Sequence, residues 1–366
     1  MSEAEHIYIK SLTDKIKENP NVIENYRELT NICVSNKDYD SALSVYNKML
    51  EFFPDDAQAL INSGSIYFYK KDFEKAISLY LKAASIEPDN AMIYYNLGNV
   101  YAEIGNFSNA LRYYTNAIEL GAVQGYVFSA IGILFQDNDD LENARVNYQK
   151  AVELEPLNGE YYVYLANVFQ KEGDFEQAAQ NYQKAVELNP NDARASLCLA
   201  NTYASMDLYE KAFEYFENTL KIDENNYSAC LCYAIALCDV ENFEKAMELY
   251  RHAIEIDPTK PNAYILLANI LINEQRYEEA IDLYKRTTCL PKEKLKLHVI
   301  YVFIANAYML LDDTVNAISY YRKALREAPE NNEVRLIYVE IMNAYIDKKI
   351  SDKKAECEDV KGKASE

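Results

Sequence analysis

The chain has 366 residues, and its 58 acidic residues outnumber its 37 basic residues, which gives a formal net charge of −21. This charge argues against nucleic-acid binding, because proteins that bind nucleic acids normally present a basic face to the phosphates. Only 9 Gly and 9 Pro are present, fewer than a protein rich in strands and tight turns would need. The composition therefore favours a helical protein whose partners are not nucleic acids.

No segment of the sequence predicts insertion into a membrane. The longest apolar stretch, from Val299 to Leu311, is interrupted by Asn306 and is shorter than the roughly 20 residues of a transmembrane helix. The seven cysteines lack the spacing of a disulfide framework, and the first residues carry no basic and apolar leader. We therefore expect reduced thiols and a cytoplasmic location.

The first predicted element is a helix over residues 3–18, followed by Pro20. Ile9, Leu12 and Ile16 lie at helical spacing within it. We expect residues 1–20 to form an N-terminal capping helix that covers the first member of a repeat array.

Residues 21–329 contain an internal repeat with a period of 34 residues. Its nine units begin at residues 23, 57, 91, 125, 159, 193, 227, 261 and 298, with three residues inserted near Pro291. Position 20 is Ala and position 24 is aromatic in all nine units, and position 32 is Pro in six. Apolar residues at helical spacing predict two antiparallel helices per unit, A and B, and the Pro ends helix B. Small residues at positions 8 and 20 are predicted to let the two helices approach closely.

Over about residues 21–329 the sequence resembles the tetratricopeptide repeats, although Tyr often stands at position 4 where the family often has Trp. The resemblance implies an all-α solenoid, a right-handed superhelix of antiparallel helix pairs with capping helices at its ends. After the repeats, an apolar stripe predicts a C-terminal capping helix over residues 330–346. Residues 347–366, with six Lys and six acidic residues, are predicted to be a disordered charged tail.

The residues that usually carry catalysis or bind cofactors are scarce. None of the three His has a Cys or His neighbour at metal-ligand spacing, and the sequence contains neither a phosphate-binding Gly-rich loop nor a nucleophile elbow. Cys230 and Cys232 would lie on different sides of one helix and could not converge on a metal. We therefore expect no enzymatic activity, no cofactor and no metal site.

The family resemblance implies that positions 2, 5, 9, 12 and 13 of each unit face a concave groove. Acids and bases nearly balance across these positions, five against three. An amide offers both a donor and an acceptor, so an Asn ladder along this groove could hold the backbone of an extended peptide. Alternatively, Asn is simply common at position 9 in this family, whatever the repeats bind. Position 9 is Asn in six units, namely Asn31, Asn99, Asn167, Asn201, Asn269 and Asn306.

A second family precedent is the carboxylate clamp of heat-shock co-chaperones, which holds an acidic peptide terminus. Arg27, Asn31 and Asn62 match the first part of that pattern, and Arg27, Asn62 and Asn96 are predicted, with the position 9 asparagines, to bind a partner in the groove. Met92 and Asn96 stand where two basic residues are required, so the clamp would lack most of its charge-assisted bonds.

The inserted segment in the ninth unit is basic in an otherwise acidic chain. Lys292, Lys294 and Lys296 make it a candidate docking loop for an acidic partner, and a solvated loop is the alternative interpretation. Taken together, the sequence predicts a non-catalytic scaffold that binds a peptide segment or protein partner in its groove. The alternative function is that of a targeting or adaptor subunit in an enzyme or co-chaperone complex, whose catalysis a partner supplies.

Overall fold

The structure is a computed structural model that describes residues 3–291 and 296–363. All regular secondary structure within these ranges is helical, in 20 helices without a strand, so the predicted all-α class is confirmed. The chain divides into two compact units, Met1–Asn189 and Pro190–Glu366. Within each unit, consecutive helices contact one another as pairs.

The first unit contains the capping helix α1 and five helix pairs, each made of an A helix followed by a B helix. Leu12 and Ile16 of α1 are buried in one cluster with Tyr26 and Leu29 of the first pair. The helices are α1 (Glu3–Glu18), α2 (Ile23–Ser35), α3 (Tyr39–Phe52), α4 (Ala57–Tyr69), α5 (Phe73–Ile86), α6 (Ala91–Glu103), α7 (Phe107–Glu119), α8 (Gly125–Asp137), α9 (Leu141–Leu154), α10 (Gly159–Glu172) and α11 (Phe175–Leu188).

The second unit contains four further pairs and a long terminal helix in its described residues. The helices are α12 (Ala193–Ser205), α13 (Tyr209–Ile222), α14 (Tyr227–Asp239), α15 (Phe243–Ile256), α16 (Pro261–Asn273), α17 (Tyr277–Thr287), α18 (Leu297–Leu310), α19 (Thr314–Glu327) and α20 (Asn332–Lys363). No helix in the described parts of the chain is both long enough and apolar enough to span a bilayer.

Helix boundaries follow the 34-residue register closely. Eight of the nine A helices begin at the first residue of their predicted repeat, and α18 begins one residue earlier, at Leu297. All nine B helices begin at position 17. The register derived from sequence is therefore the register of the structure.

The turn between helices A and B has the same backbone conformation in every repeat. Position 15 is left-handed in all nine, although only Gly105 and Gly173 are glycines and the other seven have φ between 57° and 60°. A left-handed conformation costs a non-glycine residue roughly 1 kcal/mol. Packing of the following B helix must therefore impose the turn where the local sequence does not favour it.

The conserved small and aromatic positions of the repeat form its core, as predicted. All nine Ala residues at position 20 are completely buried, and the aromatic side chains at position 24 are at most 4% exposed. A Cβ atom on Gly98 would lie 2.5 Å from ring carbons of Tyr114. This distance shows that the position 8 residue is small because the position 24 ring of the same repeat lies against it.

The terminal helix α20 extends beyond the predicted boundary at residue 346. Val334 of α20 is buried against α19, and Ile337, Tyr338 and Ile341 of the same helix are half-buried beside it. The helix then continues to Lys363, through the segment predicted to be a disordered tail. The segment is rich in Lys, Glu and Asp, and it has no Pro and no Gly before Gly362, so no local signal ends the helix sooner.

Candidate functional site

The position 9 asparagines lie on the A helices, and four of them are hydrogen-bonded within their own repeat. The Tyr hydroxyl at position 24 donates to the Asn Oδ1, at 2.8 Å for Tyr114 to Asn99 and 2.5 Å for Tyr284 to Asn269. The same bond joins Tyr182 to Asn167 and Tyr321 to Asn306. The amide oxygen thus provides an acceptor for a hydroxyl at the edge of the core, and for Tyr182 the side-chain oxygen of Gln170 provides a second.

The repeats that lack Asn at position 9 show why the partner is needed. In the second repeat Ser65 takes the place of Asn, and its hydroxyl lies 3.0 Å from that of Tyr80. In the fourth repeat position 9 is Ile133, and the Tyr148 hydroxyl donates instead to Gln136 at position 12. In the seventh it is Ile235, and Tyr250 lies 4.0 Å from the Cys238 sulfur, also at position 12.

Burial raises the pKa values of several of these tyrosines, so their hydroxyls remain protonated donors well above neutral pH. It raises the pKa of Tyr284 to about 12 and raises that of Tyr114 and Tyr148 further. Because the hydroxyl occupies the amide oxygen, the NH₂ groups of Asn99, Asn269 and Asn306 are left as donors. None of the three has a hydrogen-bond acceptor among the residues that the structure describes.

Clefts on the A-helix side contain several of the asparagines predicted from sequence. In the N-terminal compact unit, Met1–Asn189, Asn31 and Asn62 share a cleft of about 380 Å³, and Asn99 lines a second cleft of about 490 Å³. In the second unit, Asn269 and Asn306 share a cleft of about 250 Å³. The structure therefore brings two neighbouring members of the predicted ladder, Asn269 and Asn306, into one cleft, whereas Asn31 shares its cleft with the position 6 residue Asn62.

The remaining predicted asparagines lie outside these three clefts. Asn96 is half-buried on α6, and Asn167 on α10 is held by Tyr182. Asn201 belongs to the repeat in which position 24 is Phe216, so it meets no hydroxyl there. It is hydrogen-bonded to the Cys232 thiol, whose pKa is raised by burial and lowered in part by this bond.

The residues that match a carboxylate clamp do come together, but their charge is already compensated. Arg27, Asn31 and Asn62 line a small cleft of about 140 Å³ that also contains Asp56. The Arg27 guanidinium donates to the Asp56 carboxylate at 3.2 Å. An acidic peptide terminus placed here would have to compete with Asp56, so this arrangement does not favour a clamp.

The cleft beside Asn99 contains functional candidates that sequence reasoning missed. The rings of Tyr95 and Tyr126 line it, with their centroids 4.8 Å apart and nearly perpendicular. Glu103 and Asp137 line it as well. These residues occupy positions 5, 2 and 13, which the family resemblance places in the groove, so the signal was present in the sequence.

The basic docking loop is only partly described. Lys292 and Lys294 lie outside the described residues, and Lys296 is an exposed residue directly before α18. Two neighbouring bases already have partners, since Lys285 donates to the Tyr308 hydroxyl at 2.8 Å and Arg286 pairs with Asp282 at 2.9 Å. Docking at this loop remains a prediction.

The paired cysteines contact different parts of the core. Cys230 is fully buried in a cluster with Ala253 and Ala263, and burial raises the pKa of its thiol to about 11. Cys232 packs against another cluster. Among residues 4–291 and 296–351, no three His, Cys, Asp or Glu side chains are grouped so that they could hold a metal ion.

Comparison with known protein families gives matches along most of the array. Models described as tetratricopeptide or TPR repeat match residues 64–105, 91–120, 166–207 and 298–331. A model of anaphase-promoting complex, cyclosome, subunit 3 matches residues 205–287, and a PPR repeat model matches residues 27–52. No curated protein is significantly similar to the chain.

Several solved structures are similar to the chain. A tetratricopeptide repeat protein from Parabacteroides merdae superposes with a TM-score of 0.50 at 16% identity, covering 69% of this chain and 98% of its own. PilF of Pseudomonas aeruginosa gives 0.48 at 18% identity, with 59% and 97% covered. YrrB, described as a TPR protein with an unusual peptide-binding site, gives 0.42 at 26%, with 50% and 95% covered. The in-phase helix pairs and the family matches show that the chain belongs to the tetratricopeptide-repeat proteins.

Proposed function

We propose that this protein-interaction scaffold binds extended peptide segments on the A-helix side of its repeats. The observation that carries the proposal is a set of four position 9 amides held by buried tyrosines, three of which, Asn99, Asn269 and Asn306, line clefts. Asn99, Asn269 and Asn306 present NH₂ donors without acceptors among the described residues. The proposal assigns no reaction to the chain.

Fixed amide donors suit the backbone of an extended peptide. A peptide in this conformation has unpaired carbonyl oxygens along its length, and an NH₂ group can donate to them without regard to side-chain identity. The hydrogen bond from the tyrosine keeps the amide oxygen turned away from the peptide. The Asn side chain is therefore already ordered before the peptide binds. Such preorganisation reduces the entropic cost of association.

The test must separate loss of binding from loss of stability. Changing Asn99 or Asn269 alone would leave a buried hydroxyl unpaired. A quadruple variant, Asn99→Ala/Tyr114→Phe/Asn269→Ala/Tyr284→Phe, removes both members of each pair and leaves neither orphaned. The matched control, Tyr114→Phe/Tyr284→Phe, keeps the amides.

Both variants would be used as bait in lysate of the native source, with captured proteins identified by mass spectrometry. We expect the control, which loses only the preorganisation, to retain the partners of the unaltered chain at reduced yield and the quadruple variant to lose them, at equal helicity by circular dichroism. Retention of every partner by the quadruple variant would move the binding surface away from these amides.

A second candidate is a subunit role in a larger assembly, favoured by the match of residues 205–287 to the model of a complex subunit. In this case catalysis would belong to a partner. Size-exclusion chromatography of native lysate tests the subunit role, because a subunit elutes at the volume of a large complex. Elution as free chain would leave the peptide-binding role alone.

A further inference from the structure

The cleft beside Asn99, here called the Tyr95–Tyr126 cleft, differs in chemistry from the other clefts of the first unit. Three A helices of that unit, α4, α6 and α8, contribute its lining, along with Tyr114 of α7. Its volume of about 490 Å³ is enough for one or two amino-acid side chains.

The cleft is aromatic. Tyr95 lies between two other rings, with its centroid 4.8 Å from that of Tyr126 and 5.9 Å from that of Tyr114. Tyr95 and Tyr126 are half-buried, and Phe68 of α4 also lines the cleft. Aromatic faces attract cations through their quadrupole, especially where water is partly excluded.

The cleft is also acidic, because its charged lining residues are Glu103 and Asp137, and no base lines it. Both side chains are exposed. Neither has a hydrogen bond or ion pair with another residue in the described part of the chain. This differs from the cleft at Arg27, where Asp56 is already paired. The two carboxylates are therefore available to a ligand.

An apolar wall completes the cleft. Ile133 stands at position 9, where most repeats have Asn, and it is 39% exposed. Long cationic side chains bury their methylene stems on apolar surface while their charged ends remain near polar groups. Ile133 offers such a surface in the same cleft as the rings and the carboxylates.

We propose that the Tyr95–Tyr126 cleft binds a cationic side chain, Lys or Arg, of a peptide held on the A-helix side. The inference rests on the proposed function and adds to it the chemistry of one pocket. The cation meets the rings of Tyr95 and Tyr126 and the carboxylates of Glu103 and Asp137, and its stem lies on Ile133. Peptides with an acidic or neutral residue at that point are disfavoured.

The first experiment selects phage-displayed random 12-residue peptides on the full chain. We expect the selected sequences to share a Lys or Arg. The strongest binder is then synthesised with a fluorescein label, and its Kd is measured by fluorescence anisotropy. In a second peptide norleucine replaces the shared basic residue, which keeps the stem and removes the charge.

The second experiment neutralises the cleft with Glu103→Gln/Asp137→Asn. We expect about tenfold weaker binding of the basic peptide, the ratio that a loss of about 1.4 kcal/mol gives. The norleucine peptide should bind both proteins equally. The control, Glu119→Gln/Glu142→Gln, makes the same charge change at exposed positions on the B helices α7 and α9, and we expect less than about a twofold effect because salt screens such distant charges.

A third variant, Tyr126→Leu, tests the aromatic contribution, and we expect binding of the basic peptide to weaken about tenfold relative to that of the norleucine peptide. Selected peptides without a shared base, or an unchanged Kd in the doubly neutralised protein, would overturn the cationic ligand while leaving peptide binding intact. If no peptide is selected at all, the proposed function fails and the cleft assignment fails with it.

Discussion

The third and sixth repeats have the same fold but use different local interactions. In the third, formed by α6 and α7, Gly105 takes the left-handed turn position and Asn106 caps α7 by accepting from the Asn109 amide. Tyr114 donates to Asn99. These three residue types are the ones that local propensity favours at a left-handed turn, at a helix N-cap and beside a buried hydroxyl.

The sixth repeat, formed by α12 and α13, lacks each of these devices. Asp207 takes the left-handed position with a φ of 58°, and Leu208 precedes α13 without a side-chain cap. Position 24 is Phe216, which stacks on Tyr233 with ring centroids 5.2 Å apart and planes at 11°. Another polar contact is present instead, as Asn218 donates to the Ser196 hydroxyl at 3.1 Å.

Both repeats nevertheless begin their helices at the same two positions of the 34-residue unit. What they share is Ala at position 20 and a large buried ring at position 24. The comparison shows that packing of small against large residues sets the fold. Caps, turns and polar pairs adjust the stability of individual repeats, and this leads to four tests.

The largest expected effect concerns the asparagine at position 9. Asn99→Ala leaves the Tyr114 hydroxyl without its acceptor, which should lower the free energy of unfolding by about 1–2 kcal/mol. Asn201→Ala in the sixth repeat should cost about 0.5 kcal/mol or less, because Phe216 has no hydroxyl and the bond to the Cys232 thiol is weak. Urea unfolding of both variants measures the difference, and equal losses would contradict the pairing.

The second test supplies the missing cap of the sixth repeat. Leu208→Asp should raise the free energy of unfolding by about 1 kcal/mol, because an Asp at this position accepts from the backbone amide three residues on. Asp72 and Asp174 do so in their own repeats. The matched control, Leu208→Glu, adds the same charge on a side chain that caps poorly, and an equal gain from both would assign the effect to charge.

The third test installs the tyrosine that the sixth repeat lacks. Phe216→Tyr should stabilise the protein by about 0.5–1 kcal/mol if its hydroxyl donates to Asn201. In the Asn201→Ala background the same change should destabilise, because the new hydroxyl then has no acceptor. A double-mutant cycle measured by thermal unfolding gives the interaction energy, and a value of zero would show that the two side chains do not meet.

The smallest effect is pH-dependent and concerns the carboxylate caps of the first, second, fourth and ninth repeats. Hydrogen bonds from the residue three positions on lower the pKa values of Asp38, Asp72, Asp140 and Asp313 below the ordinary 3.8. Their stabilisation is therefore complete above pH 3.8 and is lost as the pH falls through the lowered values.

Changing these four residues together to Asn removes this pH dependence, because Asn caps without titrating. Melting temperatures of both proteins between pH 2.5 and 5 provide the measurement. We expect the difference between them to change only at the acid end, and a constant difference over the whole range would refute the assignment. Asn106 and Leu208, which precede the B helices of the third and sixth repeats, do not titrate and contribute nothing to this pH dependence.

Much of the fold could be predicted because it is repeated nine times. Each copy shows the same constraint, so the Ala at position 20 and the ring at position 24 of every repeat predict the core contact from sequence. The end of α20 could not be predicted in this way. Residues 347–363 lie outside the repeat, and their charged composition is compatible with either a helix or a disordered tail.

The candidate site was predicted only in part. The sequence predicts the position 9 asparagines as binding residues. It predicts both the oxygen and the NH₂ group of each amide as available to a ligand. It could not show that Tyr114 takes the oxygen of Asn99, because the two residues are 15 positions apart on different helices. Nor did it single out Tyr95 and Tyr126, whose rings meet only where α6 and α8 lie side by side.

The sequence by itself determined the helix pairs, their register and the small and large residues of the core. These follow from the spacing of apolar residues along the chain and from the volumes of their side chains. The tertiary structure alone decided which polar atoms are paired, which donors are left for a ligand and which clefts are acidic. Those properties depend on distances between side chains of different helices, and a hydrogen bond or a cation site exists only at those distances.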